Sequence, residues 1–124
     1  MKRAFVTAFL KEFKEVAEQK GVYLVGREKN RQAIADLRIT EALAKDEILS
    51  LSAADYCAGP KPDENRQGDI WEFGRNIGGV DVYIKLKVAV LPDGEKIAKC
   101  ISFHPAEHAL RFPLRGKGER RAEL

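Results

Sequence analysis

Cysteine is scarce in this chain, with Cys57 and Cys100 alone among 124 residues. Two cysteines cannot build a disulfide scaffold, and reduced thiols in a cytoplasmic protein are the expectation. No apolar run approaches the roughly 18 residues that a membrane-spanning helix needs, so no membrane partner is expected. A strong charge of one sign is also missing. The 22 basic and 19 acidic residues leave +3, a balance compatible with RNA or an acidic protein partner without requiring either. The apolar stretch Ala4–Leu10 follows a basic dipeptide. Lys11, Glu12, Lys14 and Glu15 come at once, and no small-residue cleavage site appears, so the segment reads as helix rather than leader. Internal repeats and low-complexity segments are lacking. What is present is 44% hydrophobic and 33% charged residues, the make-up of one compact domain of this length.

The first half has helical spacing. Phe5, Phe9, Phe13 and Ala17 recur every four residues with Val16 beside them, while Lys11, Lys14, Glu15 and Glu18 face away. Gly21 suits the C′ position of that helix. Val22–Val25 is a candidate short strand. Asn30 can cap a second helix that buries Ala33, Ile34 and Leu37. Thr40 can cap a third, with Leu43, Ala44, Ile48, Leu49 and Leu51 inside. Ser52-Ala53-Ala54-Asp55 makes a short turn into Tyr56. The segment from Gly59 to Gly68 is polar and proline-containing and reads as a loop.

Three strand candidates follow. Asp69–Arg75 is aromatic, Gly78-Gly79 marks a hairpin, and Val80–Leu91 alternates cleanly. Pro92-Asp93-Gly94 is a second turn before Ile97–Phe103. The expectation is a single α+β domain over 1–124, with N-terminal helices (about 1–56) packed on a C-terminal antiparallel sheet (about 69–104). A basic tail (about 111–124) holds Arg111, Arg115, Lys117, Arg120 and Arg121.

Strand side chains alternate between faces. Val80, Val82, Ile84, Leu86, Val88 and Val90 form one apolar row that should cover the helices. Asp81, Tyr83, Lys85 and Lys87 take the opposite face. In the last strand Ile97, Ile101 and Phe103 are expected inward and Cys100, Ser102 and His104 outward. Trp71 and Phe73 look buried, which places Glu72 outward between them. With the strands adjacent, Glu72, Tyr83, Lys85, Ser102 and His104 converge on one open face. Cleaving RNA through its own 2′-hydroxyl needs a base, an acid and positive charge beside the phosphate oxygens, and these residue types supply all three without a metal or cofactor.

The segments Leu51-Ser52-Ala53-Ala54-Asp55-Tyr56, Asp69-Ile70-Trp71-Glu72, Val82-Tyr83-Ile84-Lys85-Leu86 and Ile101-Ser102-Phe103-His104 together resemble the MqsR family of type II toxins, RelE-like messenger-RNA interferases. They occur in family order behind a helical front, and the resemblance runs roughly from Phe5 to His104. It implies a RelE-like fold and a small cytoplasmic endoribonuclease, a metal-independent hydrolase that cuts mRNA and is neutralised by a cognate antitoxin. Tyr83 matches the family's active-face tyrosine, Lys85 the lysine of its V-Y-[LI]-K segment, and Tyr56 the tyrosine of its first segment. Three positions depart in type: Cys57 and His104 stand where the family has lysines, and Glu72 where it has glutamine.

A carboxylate and an imidazole still make an acid–base pair. Glu72 would take the 2′-hydroxyl proton, His104 would protonate the leaving 5′-oxygen, and Lys85 with Tyr83 would offset charge on phosphorus. Tyr56, Lys87, Ser102, His108, Arg111 and Arg115 are the expected RNA contacts. Other readings carry less. His104 and His108 flank Pro105-Ala106-Glu107 and suggest zinc, but H-P-A-E-H is not the H-E-x-x-H signature. Cys57 as a nucleophile has no partnered base nearby in sequence. The alternative from another class is a catalytically silent member that binds antitoxin or RNA through the same face. A housekeeping sheet domain is the third.

Overall fold

The computed structural model describes residues 2–116; Lys117, Arg120 and Arg121 of the basic tail lie outside them. The elements are α1 (Lys2–Lys20), β1 (Val22–Leu24), α2 (Glu28–Asp36), α3 (Glu41–Leu49), a single 3-10 turn (Ala53–Asp55), β2 (Tyr56–Pro62), β3 (Asp69–Ile77), β4 (Val80–Val90) and β5 (Lys96–Pro105). This is an α+β arrangement with helices packed on a sheet. The sheet order is β1-β5-β4-β3-β2. It is mixed and not purely antiparallel, because β1 pairs parallel to β5.

The apolar stripe of α1 builds the core, with Val6, Phe9, Leu10, Phe13 and Ala17 buried against Phe73, Val82, Ile84 and Leu86. Phe9 stacks on Trp71 at 4.8 Å between ring centroids. Phe5, expected in the stripe, stands exposed. Thr40 caps α3 as expected, accepting from the Leu43 amide at 3.0 Å. Leu43 and Leu49 face solvent and only Ala44 and Ile48 of this helix are buried, so its apolar stripe is narrower than the composition suggests. Ser52 and Asp55 form a reciprocal capping box at the 3-10 turn.

Two departures shape the site. The first is in β5. Lys85 pairs with Ser102 and Leu86 with Cys100, so Ile101 is an extra residue and the strand carries a bulge. A bulge reverses the inward and outward parity of what lies beyond it. Phe103 points into the core and Ser102 and His104 away from it, as expected. On the other side of the bulge Ala98 and Cys100 are core, while Ile97 and Ile101 are only half-buried.

The bulge has an anchor in Asn30. This residue does not cap α2, whose N-cap is Arg27. It is buried, donates to the carbonyls of Val25 and Ile101 at 3.0 Å each, and accepts from the Phe103 amide at 3.0 Å. The backbone groups that the bulge leaves unpaired are thereby satisfied.

The second departure is the segment expected as a loop. Its first part is β2, an edge strand paired with β3 through two register shifts. Gly59 has φ of +112°, and a Cβ there would lie 2.7 Å from the Ile70 carbonyl oxygen. Gly59→Ala is therefore expected to cost about 2–3 kcal/mol, since neither the backbone angle nor a fixed carbonyl can yield cheaply. A shift in the urea midpoint at unchanged m-value checks this.

After β5 the chain turns back over the sheet face opposite the helices. A Cβ on Gly74 would meet the side chains of Leu110 at 2.5 Å and Phe112 at 3.2 Å, so glycine here lets the strap's side chains pack directly on β3. Its far end is held by Arg115, whose Nε donates to the Ala54 carbonyl at 3.0 Å and whose guanidinium meets Asp55 at 3.3 Å. The same guanidinium sits 3.7 Å over the Phe112 ring.

Candidate active site

Two adjacent ladder rows cross the face away from the helices. One runs Glu72–Lys85–Ser102 over β3, β4 and β5, and the next runs Gly74–Tyr83–His104. Neighbouring side chains in such a row stand about 5 Å apart. The five residues that alternation assigned to one face thus lie together, with Val82 fully buried and Tyr83 half-buried behind it. The face is not open, however. Strap residues 106–111 wall it on one side and Arg27 and Lys29 on another, enclosing a cleft of about 550 Å³. Ser102 and His104 are buried at its floor rather than exposed.

Each group has a defined neighbour. Glu72 pairs with Lys61 at 2.8 Å. Tyr83 is held protonated well above the ordinary phenol range by burial and by the Glu72 carboxylate, to which it hydrogen-bonds. Its ring lies 5.4 Å from that of His104, and the Lys85 ammonium sits 5.9 Å from its centroid. His104 Nδ1 is 3.0 Å from the Pro105 carbonyl oxygen. A carbonyl only accepts, so Nδ1 carries a hydrogen and Nε2 is the nitrogen left to exchange protons. Lys29 forms an ion pair with Glu107 across the rim, and this pairing pulls the Glu107 carboxyl below its usual range.

Three of the expected RNA contacts are placed elsewhere. Tyr56 is core: its ring packs edge-on against Trp71 and Phe73 and its hydroxyl donates to the Gly59 carbonyl. Lys87 shares the polar face by parity but is 2% exposed, sealed beneath the 63–68 loop and paired with Asp63 at 2.8 Å. Arg115 is committed to Asp55 and Ala54. His108 and Arg111 do line the cleft. Among the described residues no three His, Cys, Asp or Glu side chains gather as a metal site, and no helix is long and apolar enough to cross a membrane.

No family model, curated protein or solved structure matches this chain.

Arg27, Lys29 and Glu107 were not singled out from sequence. Arg27 and Lys29 reach the cleft from the start of α2 and Glu107 from the strap, and no local pattern marks either segment as part of a site. Cys57 also lines it, as the extra residue at the first register shift of β2. Burial first, and then the Glu72 carboxylate, push its thiol up to about 12. Relative to an ordinary thiol it carries roughly a thousandfold less thiolate at neutral pH. Alkylation by iodoacetamide at pH 8 should therefore be slow in the native chain and become rapid at both cysteines on denaturation. Fast native labelling of Cys57 would return it to consideration as a nucleophile.

Proposed function

We propose that this chain is a metal-independent endoribonuclease that cleaves mRNA, acting in the cytoplasm as the toxin of a type II toxin–antitoxin pair. The observation that carries it is the pair of ladder rows: a carboxylate, a lysine, a tyrosine and a histidine share one cleft floor, with Arg27, Arg111 and Lys29 around it. The ordered motifs shared with the MqsR family support the same reading and supply the antitoxin as partner. In the proposed step the 2′-oxygen attacks phosphorus and loses its proton to Glu72. The bond from phosphorus to the 5′-oxygen breaks, and His104 Nε2 delivers the proton that this oxygen needs. Lys85 offsets the charge on the non-bridging oxygens, and Tyr83, kept protonated, donates a hydrogen bond.

The Lys61–Glu72 ion pair favours a second reading. If the carboxylate stays paired, the same cleft binds RNA or antitoxin without cutting. Incubating purified chain with end-labelled RNA in EDTA separates the two. Cleavage should leave a 2′,3′-cyclic phosphate and a 5′-hydroxyl. RNA that is retained but intact selects the silent binding module.

A further inference from the structure

The Glu72–Lys85–Ser102 row does not stop at β5. The next group along it is Arg27, the N-cap residue of α2, whose Nη1 donates to the Ser102 hydroxyl oxygen at 3.1 Å. Ser102 is 2% exposed, so the tether is fixed in the sheet while the arginine stands at the cleft rim. Arg31, Arg75 and Arg115 each pair with a carboxylate. Arg27 has a neutral hydroxyl instead, and among the described residues no carboxylate forms an ion pair with it. A guanidinium has five N–H donors in a planar fork; Nη1 is used on the Ser102 hydroxyl and on the Ile101 carbonyl at 3.4 Å, which leaves Nε and Nη2 for a bidentate oxyanion partner.

In the step above Lys85, with Tyr83, meets the phosphate charge. Lys85 has Glu72 as its ladder neighbour on one side and its ammonium over the Tyr83 ring, so part of its charge is answered within the site. On the other side its ladder neighbour is Ser102, which holds Arg27. A phosphate resting over Lys85 is within one strand spacing of that hydroxyl and within reach of the guanidinium beyond it.

Resting on the ribonuclease reading above, we propose that Arg27 is a catalytic residue that grips a non-bridging oxygen of the scissile phosphate, with Ser102 as its positioning residue. Arg27 donates to the oxygen on which negative charge grows as the 2′-oxygen adds to phosphorus, and releases it as the 5′-oxygen departs. The ligand class is a phosphodiester flanked by an unpaired ribose. An exposed N-cap that makes no side-chain capping bond is also a site where substitution leaves the core untouched.

The test uses one RNA with a single cleavage site, prepared as the plain phosphodiester and as the two separated phosphorothioate diastereomers at that site. Wild-type chain should cleave the plain RNA and discriminate between the diastereomers by at least about tenfold, because sulfur is a poor acceptor where oxygen met the fork. Arg27→Gln should lower kcat roughly 10²- to 10³-fold on plain RNA, the usual loss for one oxyanion donor, and abolish the discrimination. Arg27→Lys should recover part of kcat but little discrimination, since an ammonium lacks the fork. Ser102→Ala should narrow the diastereomer ratio with Arg27 intact, a change that general loosening would not confine to one diastereomer.

Unchanged kcat and an unchanged ratio in Arg27→Gln, with an active wild type, would overturn the assignment and leave the ribonuclease reading standing. A wild-type chain that cuts none of the three RNAs would overturn both.

Discussion

His104→Gln is expected to slow RNA cleavage about 10²- to 10⁴-fold, the contribution typical of one positioned acid or base. Glutamine is the informative replacement because His104 is buried and its ring contacts Tyr83; alanine would open a cavity as well as remove the proton donor. The glutamine amide can still donate to the Pro105 carbonyl, so the local hydrogen bond survives while proton transfer does not. Lys85→Met keeps the stem and removes the charge, and it should give a loss of similar size. Lys96→Ala is the control. Lys96 lies at the far end of β5, exposed and paired with Glu12 at 2.7 Å, and an exposed pair of this kind contributes little. Full activity in His104→Gln and Lys85→Met, with thermal melts unchanged, would remove this cleft as the site of cleavage.

The second large effect concerns stability. Lys87 is sealed in the sheet with Asp63 as its ion-pair partner. Asp63→Asn leaves a buried ammonium without its counter-charge and should cost about 3 kcal/mol, or a fall of roughly 10 °C in Tm. The reverse change should be far milder. Lys87→Met fills the same space without charge, and Asp63 at the loop surface can be solvated. Lys87→Met/Asp63→Asn should therefore melt closer to wild type than Asp63→Asn alone. An Asp63→Asn chain that melts with wild type would mean the pair is not sealed as described.

Lys87 holds the Asp63 carboxyl below its ordinary value, chiefly through their hydrogen bond. The sign follows from that depression. The pair's contribution is complete above the unfolded value of about 4 and is lost as pH falls through the lower folded one. Asp63→Asn should abolish this part of the acid sensitivity. High salt should weaken the pair little, since buried charges are poorly screened.

What the sequence made legible was local. The four-residue recurrence in α1, the Thr40 cap, the Gly78-Gly79 hairpin and the alternation of β4 are each set by neighbours within a few positions, and the fold class follows from them. The five residues at the cleft floor were found the same way, because Glu72, Tyr83, Lys85, Ser102 and His104 each lie on a strand stretch of regular parity. The misses around the site depend on distant partners. Cys100 is inside because Asn30, some seventy residues earlier, holds the Ile101 bulge. Lys87 looks solvated until Asp63 closes over it, and Tyr56 looks available until Trp71 and Phe73 pack on its ring. β1 pairs parallel to a strand at the other end of the chain, and Arg27 enters the cleft from an adjoining turn.

The bulge at Ile101 makes β5 two half-strands out of phase. The half before it keeps time with the hydrophobic layer through Ala98 and Cys100, and the half after it presents Ser102 and His104 to the cleft while Phe103 stays in the core. Without that single supernumerary residue the two requirements would compete for one alternation. A regular strand would either turn the histidine into the apolar layer or leave Cys100 facing the solvent side. Asn30 sets this phase from α2, the helix that begins at Arg27. Its side chain acts as a timing element, and a change there would be felt at both ends of the strand at once, in the packing of one half and in the chemistry of the other.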